Sequence, residues 1–196
     1  MKKGKNLLIL SALLIVLLGG AGLAYSGLRK NTVPKSASEL PETGQNQENQ
    51  ASKEVSEMPF APDFTFLNAD GEEVRLADLT GTPVLLNFWA TWCPPCREEM
   101  PHFEKAYSEY GETVQFLMMN ETDGVRDTVG SAKEFCEENG YTFPVCFDTK
   151  GEGARAYSVL SIPMTVFINA EGQLVYQHIG ALTEEELFSM LERQTN

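Results

Sequence analysis

The hydrophobic pattern divides the 196-residue chain into three segments. The first 30 residues contain a long apolar run, and residues 31–57 carry almost no large apolar side chains. Residues 58–196 alternate short apolar runs with amphipathic stretches. Only this last segment has the pattern of a folded domain, and its length suits one domain of ~100–200 residues. We therefore expect the folded domain at 58–196.

The apolar run of residues 7–28 predicts a membrane anchor or a signal peptide within residues 1–30. Its 22 residues are enough to cross a bilayer, which needs ~20, and three lysines precede it. A signal peptide would use a shorter part of the run and would be cleaved near Ala24. We favour a retained single-pass anchor, since the run reaches full bilayer length. Either interpretation places the domain on the extracytoplasmic side of the cell membrane. If the segment is cleaved, the domain is secreted.

Residues 31–57 form the segment between the apolar run and the domain. They are rich in Ser, Glu, Gln and Asn, so they cannot bury enough surface to offset chain entropy, and we predict a flexible polar linker.

The charge of the domain excludes one class of partner. Residues 58–196 carry 8 Lys and Arg against 23 Asp and Glu, a net charge of −15. Nucleic-acid binding needs a basic footprint, and this domain has the opposite charge, so no nucleic-acid partner is expected.

Short apolar runs and turn signals predict the secondary structure of the domain. The predicted strands are 64–67, 74–76, 84–90, 114–119, 144–147, 163–168 and 174–176. The predicted helices are a stretch that ends near 110 and is kinked at Pro101, then 125–139, 152–158 and a last one that begins near 183. Strands that alternate with helices indicate an α/β fold with helices on both faces of the sheet and an N-terminal β-hairpin.

Cys93 and Cys96 lie where the buried strand 84–90 ends and the next helix begins. Two residues three positions apart in the first helical turn share one face of the helix. Their Cα atoms are then within the ~4.4–6.8 Å that a disulfide needs. The pair could therefore open and close with little movement of the backbone, as redox cycling requires.

The position of Cys93 at a helix N-terminus favours its thiolate. A free thiol with a pKa of ~8.5 is only ~3% ionised at neutral pH, and lowering that pKa to ~7 takes ~2 kcal/mol. The helix dipole supplies ~0.3–1 kcal/mol, so a second donor is needed, and the thiol of Cys96 is the nearest candidate. Pro94 and Pro95 stiffen the turn, but they remove two N–H groups that could have bound the thiolate.

Other interpretations of the cysteines stay open from the residues alone. A Cys-x-x-Cys pair could be half of a zinc site, but Cys136 and Cys146 are ten positions apart and supply no second pair. A structural disulfide at 93–96 is another alternative. We expect Cys136 and Cys146 to be buried thiols, with a second disulfide as the alternative. No metal and no cofactor are expected.

Two segments of the domain resemble the thioredoxin superfamily. They are residues 87–101 (NFWATWCPPCREEMP) and 161–168 (SIPMTVFI). Together they look most like the membrane-anchored TlpA/ResA/CcmG type of bacterial thiol-disulfide oxidoreductase, and the similarity extends over about 58–190. The resemblance implies a thioredoxin-like fold, in which helices flank a central mixed sheet.

The resemblance also implies roles for individual residues. Cys93 would be the exposed thiol that attacks a substrate, and Cys96 the buried thiol that resolves the mixed disulfide. Glu99 matches a glutamate that this type places near the cysteines to handle protons, whereas the residues alone allow a solvated helix carboxylate. Ordinary thioredoxin has a buried aspartate where this chain has Asn87, and an amide cannot act as a base. That difference shifts proton handling towards Glu99 or water.

A substrate-binding surface follows from the same resemblance. Pro163 would follow Ile162 through a cis peptide bond and face the disulfide, where an extended substrate strand would pair beside it. Trp92, Pro94 and Pro95 would complete the surface. A second tryptophan, at position 89, is expected to pack around the site.

The implied function is reduction of disulfides in exported proteins. The resemblance points to apocytochrome c, and so to cytochrome c maturation, with electrons supplied by a membrane carrier of the thiol-relay type. We expect a monomer. Two alternatives remain: a peroxiredoxin-like thiol peroxidase, which shares the N-terminal hairpin, and a copper chaperone of the Sco type. The chaperone would need Cys-x-x-x-Cys, which is one residue longer than the spacing here.

Overall fold

A computed structural model of the protein describes residues 58–195. The predicted anchor or signal peptide (1–30) and linker (31–57) lie outside the described residues. Within 58–195, no helix combines the length and apolar character that spanning a bilayer would require. The described part of the chain contains all the elements that position the cysteine pair.

Seven strands form one mixed sheet in the described residues. The strands are β1 (Thr65–Leu67), β2 (Glu73–Arg75), β3 (Val84–Trp89), β4 (Gln115–Asn120), β5 (Val145–Phe147), β6 (Met164–Ile168) and β7 (Leu174–Ile179). The helices are α1 (Pro94–Tyr110), α2 (Val129–Asn139), α3 (Glu152–Ala156) and α4 (Glu184–Thr195), and a 3₁₀ turn spans Leu76–Leu79. The predicted α/β order and the N-terminal hairpin of β1 and β2 are confirmed.

The strand order is β2-β1-β5-β4-β3-β6-β7. β3, β4 and β5 are parallel neighbours, whereas β1 and β6 are antiparallel to the strands beside them. The chain moves across the sheet in one direction from β3 to β5, so right-handed crossovers place α1 and α2 on the same face. The carboxyl ends of β3, β4 and β5 therefore meet at one edge, and this edge carries the cysteine pair.

Both faces of the sheet are buried, which explains the continuous apolar run of β3. Successive side chains alternate between faces, so Trp89 lies in the same part of the core as Met100 of α1 and Leu187 of α4. Phe88 packs on the opposite face against Phe64 and Tyr157, with ring centroids 6.5 and 5.7 Å away. Burying each such side chain contributes ~1.5–3 kcal/mol. The central strand is thereby fixed between two packed layers. Its carboxyl end therefore holds the following turn, with Cys93, in a fixed position.

The predicted helix at 125–139 begins later, at Val129. Thr128 is extended and caps α2: its side chain accepts a hydrogen bond from the N–H of Ser131, and the Ser131 side chain accepts one from the N–H of Thr128. The preceding residues form a loop in which Asp123 binds backbone N–H groups. The helical prediction for 125–128 is therefore wrong, because side chains in this loop accept hydrogen bonds from backbone N–H groups that a helix would otherwise pair.

Candidate active site at the carboxyl edge of the parallel strands

A disulfide joins Cys93 and Cys96 at the start of α1. Their Cα atoms are 5.3 Å apart, within the range expected from the spacing. Cys93 is the N-cap of the helix, and its Sγ accepts a hydrogen bond of 3.3 Å from the N–H of Cys96. The sulfur therefore occupies the place where a helix N-terminus best supports a negative charge.

Both cysteines of the disulfide are buried, although only Cys96 was expected to be. Cys96 is fully buried, as expected, but Cys93 is only 3% exposed. The prediction of an exposed Cys93 is wrong for this disulfide form, because the chain at Ile162 covers it: the Sγ of Cys93 lies 3.7 Å from the carbonyl oxygen of Ile162. The segment at Ile162 thus forms the surface directly over the sulfur of Cys93.

The peptide bond between Ile162 and Pro163 is cis, which confirms that prediction. Pro163 is buried and directly precedes β6, which pairs with β3. Its carbonyl oxygen accepts a hydrogen bond of 2.9 Å from the N–H of Gly180, just after β7. The sheet thus holds this segment beside the disulfide, although the segment lies some seventy residues further along the chain.

Glu99 is buried one helical turn after Cys96, with an exposure of 1%. Its Oε1 accepts a hydrogen bond of 3.0 Å from the side-chain amide of Asn87, and its Oε2 accepts one of 2.9 Å from the N–H of Leu182. Burial raises the pKa of Glu99 to about 7, although the two hydrogen bonds act in the opposite direction. The interpretation as a solvated helix carboxylate is therefore wrong.

Asn87 connects Glu99 to the strand segment that follows Pro163. It is fully buried in the middle of β3, and its amide nitrogen also donates a 3.0 Å hydrogen bond to the hydroxyl of Thr165. Its own Oδ1 has no hydrogen-bond partner in the structure of residues 58–195. The amide orients the carboxylate, and it leaves Glu99 as the group that can exchange a proton.

The two tryptophans have different surroundings. Trp89 is fully buried and its ring lies 5.6 Å from that of Phe135, as the packing prediction requires. Trp92 is 41% exposed beside the disulfide, and the guanidinium of Arg126 lies 3.8 Å above its ring. Arg126 also donates to Asp123 at 2.9 Å. Trp92 is thus held at the surface by a cation–π contact.

Asp127 ties the turn before the cysteines to β4. Its carboxylate accepts hydrogen bonds from the N–H and the hydroxyl of Thr91 and from the side-chain amide of Asn120. Asp127 itself is fully buried. The sequence analysis missed this residue because it placed 125–139 in a helix. The signal that could have found it is its position shortly after a parallel strand adjacent to β3.

Cys136 and Cys146 are buried and unpaired, as expected. Burial raises the pKa of each thiol to about 12, so both are neutral at physiological pH. They lie on opposite faces of the sheet, in separate parts of the core. Across residues 58–195, no three His, Cys, Asp or Glu side chains are grouped as metal ligands would be. The reactive sulfur chemistry is therefore concentrated at 93 and 96.

The fold and the site together define a thiol-disulfide oxidoreductase with a thioredoxin-like fold. The sequence model of the AhpC/TSA family matches residues 59–177, more than half of the chain, so the chain belongs to this family.

Named relatives agree with that class. Thioredoxin-like protein YneN of Bacillus subtilis is 37% identical over 138 residues, which cover 70% of this chain and 80% of YneN. Thiol-disulfide oxidoreductase ResA of Geobacillus kaustophilus is 33% identical over 193 residues, 98% of each chain. The crystal structure of StoA from Bacillus subtilis superposes with a TM-score of 0.58 at 29% identity, covering 68% of this chain and 99% of StoA.

Proposed function

We propose that this protein reduces disulfides in exported proteins on the extracytoplasmic side of the membrane. The observation that carries the proposal is the Cys93–Cys96 disulfide at a helix N-terminus, in contact with the segment at Ile162–Pro163. This arrangement combines a dithiol that can close within one helical turn with a surface that can hold a partner beside it.

The proposed reaction begins with the reduced pair. The thiolate of Cys93 attacks one sulfur of the partner's disulfide, and the other partner sulfur leaves as a thiolate that takes up a proton. Cys96 then loses its proton and attacks the Sγ of Cys93, which releases the second partner sulfur as a thiol. Two electrons and two protons pass to the partner, and the bond seen between Cys93 and Cys96 is re-formed.

The structure supports Cys93 as the nucleophile of this scheme. In the disulfide form its Sγ already accepts a hydrogen bond from the N–H of Cys96, and a thiolate would accept the same bond more strongly. Pro94 and Pro95 are exposed and have no N–H to offer to the thiolate. A stabilised thiolate is also a better leaving group, which favours release of the partner.

Glu99 is the proposed proton acceptor for Cys96. Its pKa of about 7 means that both the ionised and the protonated forms are populated at neutral pH. Its position one turn after Cys96 places it on the same helix face, inside the domain. Glu99 can thus take the proton from Cys96 when the pair closes and return it when the pair is reduced again.

The proposed substrate strand pairs beside Ile162 and Pro163, with Trp92, Pro94 and Pro95 at its margin. Trp92 and the two prolines are exposed, so they offer an apolar surface next to the buried sulfurs. Extended binding of this kind would bring the partner's disulfide to Cys93 without unfolding α1.

The proposed partners and location come from the resemblance to the TlpA/ResA/CcmG type and from the apolar run in residues 7–28. We propose apocytochrome c as a substrate, a membrane thiol relay as the electron donor, and a monomeric protein held by a single-pass anchor. The relationship to thiol-disulfide oxidoreductase ResA of Geobacillus kaustophilus over 98% of both chains supports the disulfide exchange in this proposal.

Insulin reduction tests the central step. We expect the full-length protein to catalyse dithiothreitol-driven reduction of insulin, and Cys93→Ser to lower this rate to the uncatalysed level. Cys146→Ser is the matched control, since that thiol is buried on the opposite face of the sheet from the disulfide, and it should stay within about two-fold of the unmodified protein. Unchanged reduction by Cys93→Ser would contradict the proposal, and peroxide consumption in place of insulin reduction would favour the peroxidase alternative.

A further inference from the structure

The carboxyl edge of the sheet carries a groove as well as the disulfide. Trp92 follows β3, Glu121 follows β4 and Asp148 follows β5. The N–H of Glu121 donates to the carbonyl oxygen of Trp89 at 2.9 Å, and the N–H of Asp148 donates to that of Asn120 at 3.0 Å. These bonds fix the ends of the three parallel strands next to one another. Side chains from all three strand ends therefore line one space.

This space is a groove of about 640 Å³ that both polar and apolar residues line. Its apolar lining comes from Trp92, Val159, Leu160 and Ile162. Trp92 is 41% exposed and Leu160 is 94% exposed, so the groove presents two large apolar side chains to a partner. The carbonyl oxygen of Ile162 is 3.7 Å from the Sγ of Cys93, so the groove borders the reactive disulfide.

Most charged side chains of the groove already have partners. Arg126 binds Asp123 and lies over Trp92. Lys150 forms an ion pair with Glu73, with a nitrogen–oxygen distance of 2.6 Å. The carboxylate of Asp148 accepts hydrogen bonds of 2.8 Å from two backbone N–H groups at the start of α3. These charges are satisfied within the domain.

Glu121 is different from the other charged residues of the groove. Its Oε1 is buried, and none of the described residues donates a hydrogen bond to it. Burial and the nearby charge of Asp148 raise the pKa of Glu121 to about 7. A buried polar atom without a hydrogen-bond partner is unfavourable. A cation that entered the groove would supply the partner that the domain itself does not provide.

We infer that the groove selects substrate disulfides that have a lysine or arginine within a few residues, and that Glu121 binds this cation. The inference rests on the proposed function, because it names the kind of partner segment that this protein reduces. The aliphatic stem of the lysine or arginine would pack on Trp92 and Leu160 while its charged end reaches Glu121. The acidic domain, with 23 Asp and Glu against 8 Lys and Arg in residues 58–196, also attracts basic partners over longer distances.

Three peptides test the inference. Each has the same sequence and one intramolecular disulfide, and they differ at one flanking position, which is Lys, Gln or Glu. We would measure kcat/KM for their reduction by the full-length protein, kept in mild detergent and recharged with dithiothreitol. The Lys peptide should be reduced about five-fold faster than the Gln peptide, with the Glu peptide slowest. The preference should shrink as salt is raised, because salt screens charge pairs.

The variant Glu121→Gln should lose the preference for the Lys peptide and keep the rate for the Gln peptide within about two-fold. Glu112→Gln is the matched control, since this exposed carboxylate lies just beyond the far end of α1, and it should keep the full preference. Equal rates for the three peptides, or an undiminished preference in Glu121→Gln, would overturn the inference alone. Failure to reduce any of the peptides would overturn the proposed function as well.

If Glu121→Gln does not fold, the salt series on the unmodified protein decides. A Lys preference that is the same at low and high salt would contradict a charge pair. Faster reduction of the Glu peptide would also overturn the inference, because it would point to Arg126 as the selecting residue.

Discussion

The carboxyl group of Glu99 lies inside the domain, where Asn87 and Leu182 donate hydrogen bonds to it. Burial raises the pKa of this carboxyl to about 7 although both hydrogen bonds lower it, so the group can hold a proton at neutral pH and release it without leaving its position. The neighbouring Glu98 is exposed on the same helix. Two adjacent glutamates thus have different chemical properties because only one faces the core.

Glu99→Gln should change how the rate of disulfide reduction depends on pH. Since burial raises the pKa of Glu99 to about 7, the group is mostly protonated at pH 6 and mostly ionised at pH 8. The ionised form accepts the proton of Cys96, so the rate of the native protein should rise through pH 7. In the variant this rise should disappear and the rate at pH 8 should fall about 10-fold or more.

The control for this change is Glu98→Gln, which removes an exposed charge one residue away. Its pH profile should match that of the native protein. A Glu99→Gln profile that still rises through pH 7 with the native slope would show that another group accepts the proton. Single-turnover oxidation of the reduced protein, followed by tryptophan fluorescence, provides the rate.

The spacing along the sequence was sufficient to find Cys93 and Cys96, because a helix start is local information, whereas the role of Glu99 came from the resemblance to a known type. The sequence could not show that Glu99 is buried, since that depends on Leu182, 83 residues further along the chain. The same limit applies to Glu121. Its place in the groove with Trp92 follows from the pairing of β4 with β3, which a single sequence does not state.

At the scale of the elements, the loop between β4 and α2 organises the site. Asp127 anchors the Thr91 turn to Asn120, and Asp123 holds Arg126 against Trp92. The loop therefore connects the end of one parallel strand to the turn that follows its neighbour. The position of Trp92 depends on it.

Asp127→Ala should destabilise the domain by roughly 2–4 kcal/mol, because it leaves the N–H of Thr91 and the amide of Asn120 without a partner in the interior. The free energy of unfolding, measured by chemical denaturation, gives this value. Asp78→Ala is the control, since Asp78 is exposed, and it should change stability by less than about 0.5 kcal/mol. A loss below 1 kcal/mol in Asp127→Ala would show that the loop is held by other contacts.

The strands were predicted with the right type and nearly the right bounds, because runs such as Val84–Trp89 are buried on both faces and have few polar residues. The helix before Val129 was predicted too early, since Asp123 and Thr128 satisfy backbone N–H groups outside a helix. Element type follows from burial, whereas element ends follow from individual side-chain hydrogen bonds that a periodic pattern does not contain.

At the scale of the whole molecule, the reduction potential decides the direction of electron flow. Thioredoxin-fold pairs span from ~−270 mV for a reductant to ~−120 mV for a strong oxidant. The proposed role as a reductant predicts a potential near −270 mV for the full-length protein, measured by equilibration with glutathione or dithiothreitol. A potential near −120 mV would mean that the protein introduces disulfides, and it would overturn the proposed direction.

The sequence analysis did not predict the order of the strands in the sheet. Alternating strands and helices predicted an α/β fold, but only the pairing of β3 with both β4 and β6 brings the segment at Pro163 against Cys93. The resemblance to a known superfamily supplied the cis Pro163 beside the disulfide, and the structure confirms it, whereas the strand order came only from the structure.

Trapping the mixed disulfide tests the central claim most directly. In Cys96→Ser the resolving thiol is absent, so a partner captured by Cys93 cannot be released. When the reduced full-length variant is mixed with a disulfide-containing substrate, mass spectrometry should find one substrate molecule per chain, bound at Cys93. Attachment at Cys136 or Cys146, or the same adduct in a variant that also carries Cys93→Ser, would contradict the account.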